Sequence, residues 1–425
     1  MSEMSVARMG HDLAIGHQST CQLCGSARLG CFLDLGFQPP CDSLLWPKHL
    51  NEPETVFPLR FLVCEDCSLA QIDYAVAPEQ LFFADYPYRS GITQTLVEKL
   101  SQTAVSTLAK FKSNKGSLAI DIGSNDGTVL SGFKKHGMRV LGVEPTNIAN
   151  IANANGIETI QEFFSEALVD KILASHGSAS VVTATNVFAH IAALGQVMRG
   201  VSRLLEPGGV FVTESHYVVD LLETVQYDSI YHEHLRYYSL KSIIRLFEMY
   251  DFVVSDVERI GNYGGSIRVF AVKGRSSPVS DNVRDLLQME EKIGLYGTDI
   301  YERFASKAKK ARNDLLAFVL ERKKRGERIV GVGCPGRAST LVNYTGLDVD
   351  LLPYIAEQST SLKLGLFLPG RQIPIVDEAR LFSEQPEYVL MLSWHYATPI
   401  IKNLRAKGLK SKIVMPLPEL HVLDA

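Results

Sequence analysis

Twice along this chain, short apolar strand-like runs alternate with amphipathic helical stretches, and that alternation limits the fold more than any single motif does. Units of this kind build parallel sheets with helices on both faces. In the first block strands are expected at 117–123, 139–144, 180–188 and 210–215, with helices over 126–137, 145–156 and 194–209 between them. The second has strands at 328–334, 352–357, 373–376, 387–393 and 412–416 and helices over 337–346 and 396–408. A polar helical stretch, about 279–325, lies between the blocks and reads as a connector. Its basic cluster around Lys307 to Arg328 is interrupted by acids, which suits a solvated helix face.

The 425 residues carry a net charge of -4, without the basic excess of a nucleic-acid binder. No run of eighteen apolar residues is present, so no membrane span is expected. The first 20 residues lack the pattern of an export signal and read as a flexible tail. A reducing, cytoplasmic setting is therefore expected, with the seven cysteines as thiols or metal ligands.

Cys21-Gln-Leu-Cys24 and Cys64-Glu-Asp-Cys67 are two C-x2-C pairs. Two thiolates at this spacing chelate one ion from a knuckle turn, and two knuckles complete a closed tetrahedral set suited to a structural Zn2+. The 39 residues between the pairs call for an inserted loop or hairpin. A segment this small is short of core, and a metal is the usual remedy. Cys31 and Cys41 read as core thiols, and Cys334, just past a strand, as a residue lining a cleft.

"AIDIGSNDGTVL" ends a buried strand in Asp121, turns at Gly123, and opens a helix with Asn125, Asp126 and Gly127. This is not the dinucleotide G-x-G-x-x-G. A pyrophosphate at this helix entry would meet a like charge, whereas the amino group and sulfonium of S-adenosylmethionine would be attracted. Glu144 and Pro145 follow at the end of the next strand, where an acid pairs with ribose hydroxyls. "VVTATNVFAHI" presents Asn186 and then His190. Asp121, Gly123, Asn125, Asp126, Glu144, Pro145 and Asn186 are thus the expected cofactor residues.

"YDSIYHEHLRYYSL" is dense in His, Tyr and Glu, and is expected beyond the last strand of the first block, where substrates meet a cofactor. With this run the chain resembles the three-domain nucleotide-sugar C-methyltransferases, which act on 4-keto deoxysugars. The resemblance covers nearly the whole length and rests on the four-cysteine module, "DIGSNDGTVL", "NVFAHI", "YHEHLRYYSL", "YGGSIRVF", "NYTGL", "LPGRQIPI" and "YVLMLSWHY".

It implies an α/β chain of five parts: a flexible tail (1–20), a zinc module (21–85), a Rossmann-like methyltransferase domain (86–278), a helical connector (279–325) and a second Rossmann-like domain contributing to nucleotide-sugar binding (326–425). It implies a general base at His234, with Glu233, Tyr231 and His190 as further catalytic residues. Tyr86, Tyr88, Tyr263, Arg268 and Arg337 are the implied substrate contacts. One departure is visible. The family carries Ala-Lys-Gly after the first strand of the last domain, where this chain has "GVGCPGRAST", so Arg337 stands in for the lysine's charge with a different geometry.

The resemblance further implies a nucleotide sugar as the small-molecule partner; the charge and hydropathy lead us to expect no nucleic-acid or membrane partner, and a monomer or weak homo-oligomer is expected. The chemistry is consistent. Imidazole can remove the proton beside a ketone if donors such as His190 or Tyr231 stabilise the enolate. The competing expectations are a zinc-containing RNA methyltransferase, a sugar O-methyltransferase and a non-catalytic nucleotide-sugar binder.

Overall fold

The computed structural model describes residues 12–82, 91, 94–112, 114–274 and 277–424. Both alternating blocks form parallel sheets. In the first, the strands lie in the order Phe252–Ile260, Ser266–Lys273, Leu205–His216, Ala179–Thr185, Leu118–Ile122, Arg139–Val143 and Thr159–Ile160. The last five are mutually parallel and the first two join antiparallel. Ala179–Thr185 is buried at every position, as a strand covered on both faces must be. The strand order reverses between Leu118–Ile122 and Ala179–Thr185, and a crevice opens at their carboxyl ends.

The second sheet repeats the plan. Its order is Phe367–Leu368, Ile373–Asp377, Ile355–Glu357, Ile329–Val332, Tyr388–Met391, Lys412–Met415 and His421–Leu423. The outermost strand on each side is antiparallel, so Lys412–Met415 is not the final strand, as the sequence suggested. Here the order reverses between Ile329–Val332 and Tyr388–Met391.

The residues between the cysteine pairs form a hairpin, Leu29–Gln38 against Phe57–Cys64, with Ala70–Ile72 beside it. A fourth strand, Arg236–Tyr237, comes from the "YHEHLRYY" run and bonds to Ala70–Ile72. That run does not follow the last strand of the first sheet, as expected. It precedes the antiparallel pair 252–260 and 266–273.

Two further expectations are corrected. Residues 12–20 are held rather than loose: Gly16–His17 pair with Tyr74–Ala75, and Asp12 Oδ1 accepts from Gln196 N at 3.0 Å. Residues 1–11 of the expected tail lie outside the described residues. The expected connector is also packed into the fold. Its helices Asp281–Lys292 and Asp299–Lys324 bury Glu290, Tyr301 and Phe304. Tyr301 and Phe304 stack on Phe61 of the cysteine module, with ring centroids 6.3 and 5.7 Å away. No described helix is long and apolar enough to cross a membrane.

Glu290 is fully buried and accepts from Tyr217 Oη (2.8 Å), Leu240 N (2.6 Å), Lys241 N (3.2 Å) and Tyr296 Oη (2.8 Å). It joins the helix pair to the first turn of helix Leu240–Glu248. Losing it leaves several buried donors unpaired, so Glu290→Ala should lower stability by roughly 3 kcal/mol. Thermal unfolding followed by calorimetry checks this, and a wild-type transition temperature would contradict it.

Candidate active site

The carboxyl ends of both sheets open onto one cavity of about 780 Å³. The first sheet contributes Asp121, Gly123, Glu144 and Asn186, and the second contributes Pro335, Gly336, Arg337, Ser393 and His395. Between them stand Tyr231, Glu233 and His234, with Asp42 from the cysteine module.

His234 is buried, and its Nδ1 lies 2.8 Å from the Ser229 carbonyl. A carbonyl only accepts, so Nδ1 carries the hydrogen and Nε2 is left as the basic nitrogen. Burial, together with neighbouring His216 and His190, holds the ring's pKa well below that of a free imidazole. The rings of Tyr231, His216 and His190 lie 4.0, 4.7 and 4.8 Å from it. Burial pulls His190 down to about 4 and His216 to about 3, the latter with help from Arg337 and His190. The cluster is therefore a set of neutral imidazoles. Burial raises the Tyr231 phenol well above its ordinary value, so it remains an O–H donor.

The opposite half of the cavity fits S-adenosylmethionine. Gly123 has φ +68°, and a Cβ there would meet Val187 Cγ1 at 2.5 Å, so only glycine suits this turn. Glu144 accepts from Asn125 N at 3.0 Å and from Thr146 N at 3.0 Å, which fixes its carboxylate at the strand end. Asp121 accepts from Thr183 Oγ1 at 2.6 Å, and burial lifts its pKa to about 7. An ammonium brought to it would drive its ionisation. Ser124 Oγ and Asn186 Oδ1 line the cavity, buried and without a hydrogen-bond partner among the described residues. Such atoms call for a polar ligand.

The four thiols of Cys21, Cys24, Cys64 and Cys67 converge, with all sulfurs within 4.8 Å of one another. Cys21–Cys67 and Cys24–Cys64 are 3.4 and 3.5 Å apart. A Zn–S bond of about 2.3 Å gives a tetrahedral edge of about 3.8 Å, so the set fits a closed zinc site. From this knuckle the sheet runs to Arg236–Tyr237, and Ile72 N donates to Leu235 O at 3.1 Å. The zinc module thus grips the loop that carries His234.

Several sequence expectations need correction. Arg268 does not reach the cavity. It is buried in ion pairs with Glu214 and Glu258, both at 3.0 Å. Asp126 also lies outside the cavity lining: it accepts from Thr128 Oγ1 at 2.6 Å and Gly91 N at 2.7 Å, tying down the helix entry. His232 faces the cysteine module, 3.2 Å from the Pro58 carbonyl. Cys31 is exposed rather than in a core, and Cys334 is buried behind the cavity wall. Tyr86 and Tyr88 lie outside the described residues. Pro145, Tyr263 and Arg337 all line the cavity.

Sequence reasoning missed His216, His395, Asp42 and Lys363, which reach the same cavity from four distant places. Lys363 Nζ is 3.0 Å from Asp42 Oδ1, an ion pair that bridges the cysteine module and the second sheet domain. Only the strand-end position of His216 offered a signal.

Comparison with known proteins is consistent with this anatomy. Family models match three successive stretches: a zinc binding domain over 21–82, a methyltransferase domain over 94–257 and a C-methyltransferase C-terminal domain over 261–418. The chain is 33% identical over 411 residues to the C-methyltransferase NovU of Streptomyces niveus, covering 95% of this chain and 97% of that protein. Among solved structures it is similar to magnesium protoporphyrin IX methyltransferase from Synechocystis PCC 6803 with bound SAH, at 11% identity and TM-score 0.34, over 44% of this chain and 90% of that one. A 1,6-didemethyltoxoflavin-N1-methyltransferase from Burkholderia thailandensis gives 17% identity and TM-score 0.32, over 42% and 78%.

Two measurements check the site. Glu144→Ala should weaken S-adenosylmethionine binding by about tenfold or more, the worth of a charged hydrogen bond, as read by calorimetry. Binding to the wild type should tighten as the pH rises toward about 7, because the ammonium pairs with ionised Asp121. Asp121→Asn should flatten that pH dependence. In a second experiment, stripping zinc with a chelator should make the 21–82 region sensitive to protease and also slow turnover, because the grip on the His234 loop loosens. Full turnover after complete zinc loss would contradict that coupling.

Proposed function

This chain belongs to the C-methyltransferase family as an S-adenosylmethionine-dependent enzyme, and we propose that its acceptor is a nucleotide-linked 4-keto-deoxysugar, methylated on the carbon beside the ketone. The observation that carries this reading is the single-tautomer imidazole of His234, whose Nε2 is free to take a proton in a buried cavity. A nucleotide sugar suits a cavity whose second-domain side also carries the cationic Lys363. Converging thiols without disulfides suit a cytoplasmic setting.

His234 Nε2 takes the proton from the carbon beside the ketone. Its Nδ1–H bond to Ser229 holds the ring in position during the transfer. Tyr231 and His190, with rings 4.0 and 4.8 Å from that of His234, are neutral donors beside the base. Bound S-adenosylmethionine supplies an electrophilic methyl group to the carbon that has lost its proton. Glu233 accepts from Cys41 Sγ at 3.3 Å, and serves to position the loop and the sugar beside it.

Labelled S-adenosylmethionine and a panel of nucleotide 4-keto sugars, followed by NMR of the product, test this directly. A new C–CH3 group next to the ketone is expected, and an O-methyl product would refute the reading. His234→Asn should retain cofactor binding while turnover falls roughly 100-fold or more, the range of a general base. The pH profile gives an independent check. The working form of His234 is neutral and its pKa is depressed, so at saturating S-adenosylmethionine, where the titration of Asp121 no longer limits cofactor binding, activity should not decline until the pH is well under 6.5. An acid limb centred near 6.5 would point to a solvent-exposed base.

A further inference from the structure

Arg337 stands at the start of helix Gly336–Thr345 and lines the cavity at the second sheet's crevice. It is 5% exposed. One side of its guanidinium is fully engaged: Nε lies 3.3 Å from Asp228 Oδ2, and Nη2 donates to Gln226 Oε1 at 2.7 Å and to Ser229 Oγ. The indole of Trp394 lies 5.2 Å from the guanidinium carbon and donates to the same Asp228 oxygen at 2.7 Å. The remaining nitrogen, Nη1, is buried and has no hydrogen-bond partner among the described residues. A buried cationic donor left unpaired in a cavity wall is costly unless a ligand completes it.

Its neighbours indicate which ligand. Ser229 holds both groups, Arg337 through its hydroxyl and His234 through its carbonyl. Base and cation are therefore fixed on one residue, and the positive charge is near enough to depress the imidazoles of His234, His216 and His395. A base made this weak cannot remove a proton from carbon unless the resulting anion is strongly stabilised. Charge-assisted hydrogen bonds are about twice as strong as neutral ones, so Tyr231 and His190 would do less than a guanidinium.

We infer that Arg337 is a catalytic residue, donating from Nη1 to the ketone oxygen of the acceptor as that oxygen becomes an enolate. The inference rests on the ketone-acceptor reading above. As the C–H bond breaks, the proton passes to His234 Nε2 and the C–H electron pair becomes the C=C bond. The carbonyl π pair moves onto oxygen, and that charge meets Arg337. The negative enolate is then flanked by Arg337 and the newly formed imidazolium, which relieves the repulsion between the two cations.

The test is exchange of the substrate's α-proton with solvent deuterium, without methyl donor, for the wild type, Arg337→Lys and Arg337→Ala. Both variants should exchange roughly 100-fold more slowly, the usual cost of one oxyanion donor, with KM for the sugar changed less than threefold. Added guanidinium should partly restore Arg337→Ala. The same slowing should appear with a 4-keto sugar that lacks the diphosphate. If Arg337 instead raises KM only, and only for the diphosphate-bearing substrate, it is a phosphate contact and the inference is wrong. Wild-type exchange in Arg337→Lys would also overturn it. Should Arg337→Ala lose the fold, seen as lost cofactor binding, Arg337→Lys decides the matter alone. If the wild type neither exchanges nor methylates any 4-keto sugar, it is the acceptor reading that has failed.

Discussion

The organisation of this enzyme depends on a short strand. Arg236–Tyr237 belongs in sequence to the methyltransferase block, yet it hydrogen-bonds into the sheet of the cysteine module. Residues 230–235 are thereby stretched between two anchors. At one end, the Ser229 hydroxyl and Ile230 carbonyl are bound by Arg337 and Thr340 of the second sheet domain. At the other, Leu235 and Arg236 are paired with Ile72 and Gln71. A loop carrying a base would ordinarily be mobile. This one is held by all three parts of the chain, which supports the view that the zinc site is more than a staple for a small core. The helix pair 281–292 and 299–324 completes the arrangement by packing Tyr301 and Phe304 on Phe61.

Burial then determines the electrostatics. Three imidazoles within 5 Å cannot all be protonated in a dry pocket, and desolvation is the leading cause of each depressed pKa. On the cofactor side, the same desolvation raises Asp121. Both shifts leave the empty pocket closer to neutral than its residues suggest. Charge is therefore restored only when charged partners arrive.

Much of this was legible in the sequence. The spacing of the cysteine pairs announces the thiol cluster, and the Gly123 turn and Glu144 fall at strand ends on the cavity, whereas the "YHEHL" run stands out by its composition and its resemblance. Polar residues on buried strands are harder. Arg268 sits in a motif that resembles a substrate element, yet its strand register points it at Glu214 and Glu258. Asp126 looked like a ligand because it follows the glycine turn, but a carboxylate two residues before Thr128 caps the helix instead. Asp42 lies hundreds of residues from Lys363 and His395 and meets them only through packing of the cysteine module on the second sheet domain, so no local pattern could reveal them. The connector read as polar because Asp281–Lys292 buries only Val283 and Glu290, and the buried stripe of Asp299–Lys324 includes small residues, Ala305, Ala308 and Ala311, set among many charges.

The doubled sheet plan explains why the cavity is built from two crevices. Each crevice forms where strand order reverses, because helices on either side of that point leave to opposite faces. Here the two crevices face each other, one ending in Gly123 and Asn186, the other in Gly336 and Arg337. Gly336 stands where the helix entry passes close to the cysteine module: a Cβ there would come within 3.1 Å of both Cys41 Sγ and Asp42 Oδ2. That close approach lets the following helix bring its positive end, with Arg337 in its first turn, against the loop of the base. A lysine at this position would carry the charge, but a single ammonium could not bind Asp228, Gln226 and Ser229 on one edge and still present a rigid donor on the other.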